Sequence, residues 1–338
     1  MKIIRTNCEL QMPLVDQTLR DAGHELVLLP DDVSEDELVD QCRDAGLLLM
    51  CYTAITGRVL AEAKQLQGIV KYGVGIDAID IEAAKRHGVP VVNIPEYAEE
   101  TVAEGAFALT IALAKKLQPL GRAMNQDGWV WPEAGWMGHD LAGKTFGLVG
   151  VGKIGRSMAR MAGAGFRAKV LGYSPSLTEE EACALGMERC DDLHAMLSRS
   201  DFVSVHCVLN DSTRGLIGKA EFEVMKDGAF LTNVSRGAIV DEEAMLQALK
   251  SGKLGGAALD VFSQEPLRKE GHFLSELFEM PNVILSPHLT FYTREAMERL
   301  EKETLERCFE LIEGRDVVVK SKDPRLTSQT RGVRFEHP

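Results

Sequence analysis

The hexapeptide Gly150-Val151-Gly152-Lys153-Ile154-Gly155 has the residue types and spacing of a turn that holds a diphosphate. It follows an apolar stretch, Thr145–Gly150, and opens a helical pattern that runs through Ala162. The first glycine permits a tight turn, the second lets the backbone approach a pyrophosphate, and the third lets helix pack closely on strand; the N–H groups of the helix start then face the phosphates. A strand before and a helix after give the motif the context it needs. Roughly 20 residues on, an acid would accept from the ribose hydroxyls of NAD. Here Ser174 stands at that place, in Leu171-Gly172-Tyr173-Ser174-Pro175-Ser176. A serine removes the repulsion a carboxylate would exert on a 2′-phosphate, yet no Arg or Lys follows closely to pair with that phosphate. The expected cofactor is therefore NAD(H) or NADP(H). His288 is a natural proton donor, because an imidazole titrates near neutrality. It comes just after the apolar run Val283–Ser286, and α/β folds place ligands at the ends of strands. No His, Cys or carboxylate cluster has the spacing of metal ligands, so no metal is expected.

Short apolar runs alternate with longer amphipathic stretches, as buried parallel strands and covering helices require. The first part predicts strands at Lys2–Thr6, Glu25–Leu29, Gly46–Cys51, Gly68–Tyr72 and Val89–Asn93; the second predicts them at Thr145–Gly150, Ala168–Tyr173, Phe202–His206, Ala229–Val234, Gly256–Asp260 and Asn282–Ser286. Ser34-x-x-Glu37 and Thr178-x-x-Glu181 read as capping boxes that open helices. This alternation predicts an α/β chain of parallel sheets with helices on both faces. Two longer helices, Glu99 to about Gln126 and Thr293 to about Glu313, break the rhythm and are candidates for links between domains. The tail after Gly314 is polar with little periodicity, and is expected on the surface or partly disordered.

Length and composition bound the function. A chain of 338 residues suggests two domains. Its net charge of −13 argues against nucleic acid, whose phosphates need a basic footprint. No run of ~18 apolar residues predicts a membrane span, and the start of the chain lacks the apolar stretch of a signal peptide. The cysteines, seven in number and without a Cys-x-x-Cys pair, read as reduced, mostly buried thiols of a cytoplasmic protein.

Three further segments resemble the D-isomer-specific 2-hydroxyacid dehydrogenases: Asn233-Val234-Ser235-Arg236-Gly237-Ala238-Ile239-Val240-Asp241-Glu242, Ala258-Leu259-Asp260-Val261-Phe262-Ser263-Gln264-Glu265-Pro266, and Leu285-Ser286-Pro287-His288-Leu289-Thr290. Their order and spacing match that family's Arg, Glu and His segments. The resemblance extends upstream to Lys71-Tyr72-Gly73-Val74-Gly75-Ile76-Asp77. It implies two doubly wound parallel-sheet domains, a Rossmann cofactor domain at 101–289 inserted into a flavodoxin-like substrate domain made of 1–100 and 290–338. The substrate cleft would then lie between the domains.

The resemblance also implies roles. Reducing a 2-oxo acid needs a hydride at the carbonyl carbon, a proton at its oxygen and a held carboxylate. His288 would give the proton, Glu265 would orient the ring and favour its charged form, and Arg236 would grip the carboxylate with a planar fork. Gly73-Val74-Gly75 would form a small anion nest, with Val74 and Gly75 as the donors. Asp260 resembles the residue that accepts from the nicotinamide amide; His206, Val234 and Thr101 align with other cofactor contacts.

Cys51-Tyr52-Thr53 follows the third strand and should face the cleft, with Tyr52 a substrate contact. Phosphoglycerate members of the family tend to carry Arg-Ser there. An uncharged, partly aromatic wall favours a small or apolar substrate side chain over a phosphorylated one. Phe291 and Tyr292 would close the cleft or pack under it. Trp129, Trp131 and Trp136 stand in a Gly-rich arm that often meets a second subunit in this family, so a homodimer is expected. Two alternatives stay open. One is a D-3-phosphoglycerate dehydrogenase. The other is an NAD(H)-sensing corepressor, because the C-terminal binding proteins share this fold and triad.

Overall fold

The structure, a computed structural model, describes residues 1–336. The chain divides into two compact units: Met1–Ala98 together with the chain from Thr293 onward, and Glu99–Tyr292.

The first unit holds strands β1 (Lys2–Arg5), β2 (Glu25–Leu28), β3 (Leu47–Met50), β4 (Ile69–Lys71) and β5 (Val91–Asn93), all parallel, in the order β2-β1-β3-β4-β5. The run Leu47-Leu48-Leu49-Met50 is wholly buried, as a strand covered on both faces must be. The order reverses between β1 and β3, so the loops after those strands flank a crevice at the C-terminal edge, where open α/β sheets bind ligands.

The second unit holds β6 (Thr145–Val149), β7 (Lys169–Tyr173), β8 (Glu188–Arg189), β9 (Phe202–Val205), β10 (Ala229–Asn233), β11 (Leu254–Leu259) and β12 (Val283–Leu285), again all parallel, in the order β12-β11-β10-β9-β6-β7-β8. Alternate residues feed two cores, one on each face. Val149, Val203, Val205, Leu231 and Leu259 enter one; Phe146, Leu148, Phe202, Phe230 and Ala258 enter the other. Phe146, Phe202 and Phe230 stack across β6, β9 and β10 at centroid spacings of 4.8 and 5.2 Å. The glycine turn leaves β6 between its neighbours β7 and β9, which is the switch point of this sheet.

The expected doubly wound parallel sheets are therefore present, and three local expectations need correction. Ser34 accepts from the Glu37 N–H, but only Thr178 and Glu181 close a full capping box. The single helix expected from Glu99 to about Gln126 is two, Glu99–Ala114 and Leu117–Asp127, broken at Lys116 with φ 53°. Pro119 explains the break: it fits a first turn, whose N–H groups need no intrahelical acceptor, and not a helix interior. The His139 N–H takes the Ala114 carbonyl freed there, at 2.8 Å.

The tail after Gly314 is ordered. It forms the parallel pair β13 (Val317–Val319) and β14 (Val333–Phe335) around the short helix Pro324–Thr327. Val317, Val319 and Leu326 are buried, and the Gln329 amide both accepts from the Val91 N–H at 2.7 Å and donates to the Val91 carbonyl at 2.9 Å. The amide thus satisfies an edge that β5 would otherwise expose. Replacing Leu326 with Ala is expected to lower stability in urea by about 2–5 kcal/mol. A change within experimental error would show that the tail is not packed.

Candidate active site

In the second unit the glycine turn fits a dinucleotide. Gly150 has φ 96°, a conformation open to glycine. A Cβ there would lie 2.4 Å from the Cys207 nitrogen, and one on Gly155 would lie 2.3 Å from the Gly150 carbonyl oxygen. A Cβ on Gly152 would meet nothing within 4 Å, so the middle of the turn faces open space. Gly152 then caps the helix Lys153–Arg160, which presents the first N–H groups of Lys153, Ile154 and Gly155 at the same end, the Arg156 N–H being already given to the Gly152 carbonyl at 2.9 Å. Lys153 is exposed and lies 3.1 Å from Glu99. Burial lowers the His206 pKa to about 4, which keeps the ring neutral. Its Nε2 meets the Ser204 hydroxyl at 2.9 Å, while Nδ1 is buried without a partner among the described residues. A half-buried Ser174 opens the loop after β7, with its hydroxyl 3.5 Å from that of Ser176.

Arg236, Glu265 and His288 all follow strands of this sheet at its C-terminal edge. His288 Nδ1 lies 2.8 Å from Glu265 Oε2. A carboxylate only accepts, so Nδ1 carries the proton of that bond. Glu265 Oε1 accepts from the Phe262 N–H at 2.9 Å. Burial pushes the Glu265 carboxyl up, but the hydrogen bond and charge of His288, the Phe262 N–H and the charge of Arg236 outweigh it and hold the group below its ordinary value.

The Arg236 loop is fastened from both sides. Asn233 accepts from the Ser235 N–H at 3.0 Å and donates to the Arg236 carbonyl at 3.0 Å; the Ser235 hydroxyl donates to the Cys207 carbonyl. Gly237 lets this loop press against the one leading to Glu265, since a Cβ there would lie 2.0 Å from the Phe262 carbonyl carbon. Glu242, buried and pushed up chiefly by that burial, accepts from the Ser263 N–H at 2.7 Å and fixes the same loop.

Several residues stand differently from their sequence reading. Asp260 is fully buried, and its carboxylate accepts from the Leu289 N–H at 2.9 Å, the Thr290 N–H at 3.1 Å and the Thr290 hydroxyl at 2.6 Å. It therefore clamps the turn after His288. His288 itself has φ 58°, in the left-handed region. The Val234 side chain is in the core, so only its backbone could face a cofactor. Thr101 is buried in the first turn of Glu99–Ala114. Phe291 is buried with its ring 6.5 Å from that of His288, whereas Tyr292 is exposed.

The first unit carries the Gly73-Val74-Gly75 turn just after β4. Gly73 has φ 146°. Asn93 donates to the Val74 carbonyl at 2.6 Å, and the Val74 and Gly75 N–H groups take no acceptor among the described residues. Asn7, buried after β1, accepts from the Cys51, Tyr52 and Thr53 N–H groups at 2.8, 2.9 and 3.3 Å and so shapes the loop after β3. That wall is not uncharged. The Lys71 ammonium lies 3.3 Å from the Cys51 sulfur and 5.4 Å from the centre of the Tyr52 ring. Asn7, Lys71, Asn93, Asn233 and Glu242 were missed by motif reading; a polar residue closing an apolar strand run was the available signal for Lys71, Asn93 and Asn233.

Among the described residues no three His, Cys, Asp or Glu side chains gather as metal ligands, and no helix is long and apolar enough to cross a membrane.

A seven-stranded parallel sheet with a glycine turn at its switch point and a carboxylate-backed imidazole beyond its far strands defines a dinucleotide-binding α/β protein. Residues 107–290 match the NAD binding domain of the D-isomer specific 2-hydroxyacid dehydrogenases. The chain belongs to that family. It is 38% identical over 267 residues to a glyoxylate reductase of Thermococcus litoralis, covering 77% of this chain and 78% of that one. It is 36% identical over 317 residues to the D-3-phosphoglycerate dehydrogenase of Rattus norvegicus, covering 94% of this chain but only 58% of the rat enzyme's length. A D-lactate dehydrogenase of Aquifex aeolicus, solved with NAD and lactic acid, superposes with a TM-score of 0.82 at 29% identity, covering 92% of this chain and 96% of that one.

Because the Glu265 carboxyl is held below its ordinary value of about 4.3, its bonds stabilise the fold above that pH and lose their effect as pH falls through the lower folded value. Glu265→Gln is expected to flatten the acid limb of a Tm-against-pH curve between about pH 5 and 3; identical acid slopes would refute the assignment.

Proposed function

We propose that this chain interconverts small 2-oxo acids and D-2-hydroxy acids with NAD(H). The observation that carries the reading is the 2.8 Å contact of His288 with Glu265 on the sheet that bears the diphosphate turn. When bound, the nicotinamide supplies or accepts the hydride. His288 gives the proton through Nε2, since Nδ1 is engaged, and Glu265 orients the ring. Arg236 holds the substrate carboxylate by its planar fork; one of its nitrogens already donates to the Ser235 carbonyl at 2.7 Å, which aims the group. Val74 and Gly75 add backbone donors, and Tyr52 lines the same wall. In this reading Gly150, Gly152, Lys153, Ile154 and Gly155 cradle the diphosphate, Ser174 meets the ribose, and His206, Thr101 and the Val234 backbone border the nicotinamide. The Asp260 carboxylate acts on that site through the His288 turn.

The unit that contains the glycine turn is the cofactor domain of this reading, and the unit that contains Gly73-Val74-Gly75 is the substrate domain. Trp129 and Trp131 are 65% and 77% exposed and meet each other edge to face, which supports a homodimer in which a second copy covers them; a monomeric mass in light scattering would remove that part.

The test is a panel of glyoxylate, hydroxypyruvate, pyruvate and longer 2-oxo acids, each with NADH and with NADPH, alongside oxidation of 3-phosphoglycerate. NADH consumption with an unphosphorylated acid is expected. Binding of NADH without turnover of any of them would favour a sensor. His288→Ala should cut the rate about 10²–10⁴-fold, the usual worth of a general acid, with NADH affinity unchanged; an unimpaired rate would remove His288 as donor. Arg236→Lys should raise KM by losing the two-point grip. Ser174→Asp should depress NADPH use far more than NADH use, through repulsion of the 2′-phosphate.

A further inference from the structure

The last residue of β4 is a lysine with almost no exposure. Lys71 is 5% exposed, at a position where Ile69 and Val70 before it are fully buried. Burying an ammonium is costly unless something offsets the lost hydration. Among its neighbours are Cys51 Sγ at 3.3 Å and the Tyr52 ring, whose centre lies at 5.4 Å.

Its location gives the charge a use. A Cβ built on Gly73 would lie 2.7 Å from the Lys71 nitrogen and 3.9 Å from the Cys51 sulfur. The ammonium therefore rests against the bare side of Gly73. At φ 146° that position is suited to glycine, so no side chain separates the charge from the turn. The next two residues, Val74 and Gly75, present the N–H groups without acceptors, and Asn93 holds the Val74 carbonyl back at 2.6 Å. Two N–H groups without acceptors and an ammonium against the same turn make a stronger anion site than a nest of peptide dipoles alone. The turn follows β4, between the loops that leave its sheet neighbours β3 and β5, at the C-terminal edge of the sheet.

We propose that Lys71 is the electrostatic anchor of the substrate anion, and that it biases the site toward ligands of higher negative charge. This rests on the reading of Val74 and Gly75 as substrate donors. Lys71 acts through the field it lends the turn, so it is a positioning residue. A charge several ångströms away in a partly buried setting changes affinity for a monoanion by on the order of ten-fold, and the effect grows with ligand charge.

The experiment is calorimetric binding of oxamate, a monoanion, and oxalate, a dianion, to the NADH-bound protein. Lys71→Met should weaken oxamate about ten-fold and oxalate by clearly more, on the order of ten-fold again, while Lys71→Arg should keep both within about three-fold of the unmodified protein. Equal losses for the two probes would show a merely structural prop and overturn the proposal, as would no loss at all. Cys51→Asp gives a second test should Lys71→Met fail to fold: a carboxylate beside the ammonium neutralises the charge without removing it, and should again weaken oxalate more than oxamate. Turnover is not needed for these readings. An absence of 2-oxo acid reduction with the oxalate preference intact would sink the proposed activity and leave Lys71 in place; reduction without the preference would do the reverse.

Discussion

A buried carboxylate holds the reactive imidazole in a conformation that its backbone would not choose. His288 has φ 58°, and the left-handed region costs an ordinary residue roughly 1–2 kcal/mol. Asp260, without any exposure, answers with bonds from the Leu289 N–H, the Thr290 N–H and the Thr290 hydroxyl. Hydrogen bonds to a charged group contribute about 1.5–3 kcal/mol each, so the clamp outweighs the strain. The turn can then aim the ring at Glu265, which Nδ1 meets at 2.8 Å. Remove the clamp and the chain would relax, taking the ring with it.

The other parts of the site are arranged around close backbone approaches. Gly237 presses the Arg236 loop onto the Phe262–Ser263 backbone, and Gly105 meets Thr290, where a Cβ would lie 2.8 Å from the threonine Cβ. Both are glycines because of what lies opposite them, whereas Gly150 also needs its positive φ. Around these contacts the polar supports are complete in both directions: Asn233 ties Ser235 to Arg236, and Glu242 ties Ser263. A site built this way keeps its groups in place before substrate arrives, which is how positioning lowers a barrier.

Much of this was legible in the sequence because it rests on local pattern. Short apolar runs between Gly, Pro and Asp gave the parallel strands, and Gly150 to Gly155 declared its own strand and helix. His288 and Glu265 were found through their segments, and the structure brings them together. What the sequence concealed depends on contacts between distant segments. Nothing near Asp260 indicates that its acceptors are used by residues 289 and 290. The run from Glu99 reads as one helix until the fit of Pro119 to a first turn is weighed. The polar tail looked unstructured because its buried apolar residues are only one short run, Val317, Val318 and Val319, and a single Leu326 among polar neighbours. Lys71 was passed over for the opposite reason: it lies inside an apolar run, and only the fold shows that the wall beside Tyr52 is charged.

The clamp is the claim most open to direct test, since the same aspartate could instead have served the cofactor. Asp260→Asn keeps the shape but turns a donor toward donors. The decisive measurement is the single-turnover rate of hydride transfer in this variant beside its dissociation constant for NADH. A rate at least a hundred-fold slower with NADH affinity within about three-fold is the result expected of a carboxylate that acts through the His288 turn, at the 2.7 kcal/mol or so that a hundred-fold represents. A variant that transfers hydride normally once saturated, but binds NADH poorly, would contradict the account and return Asp260 to the cofactor.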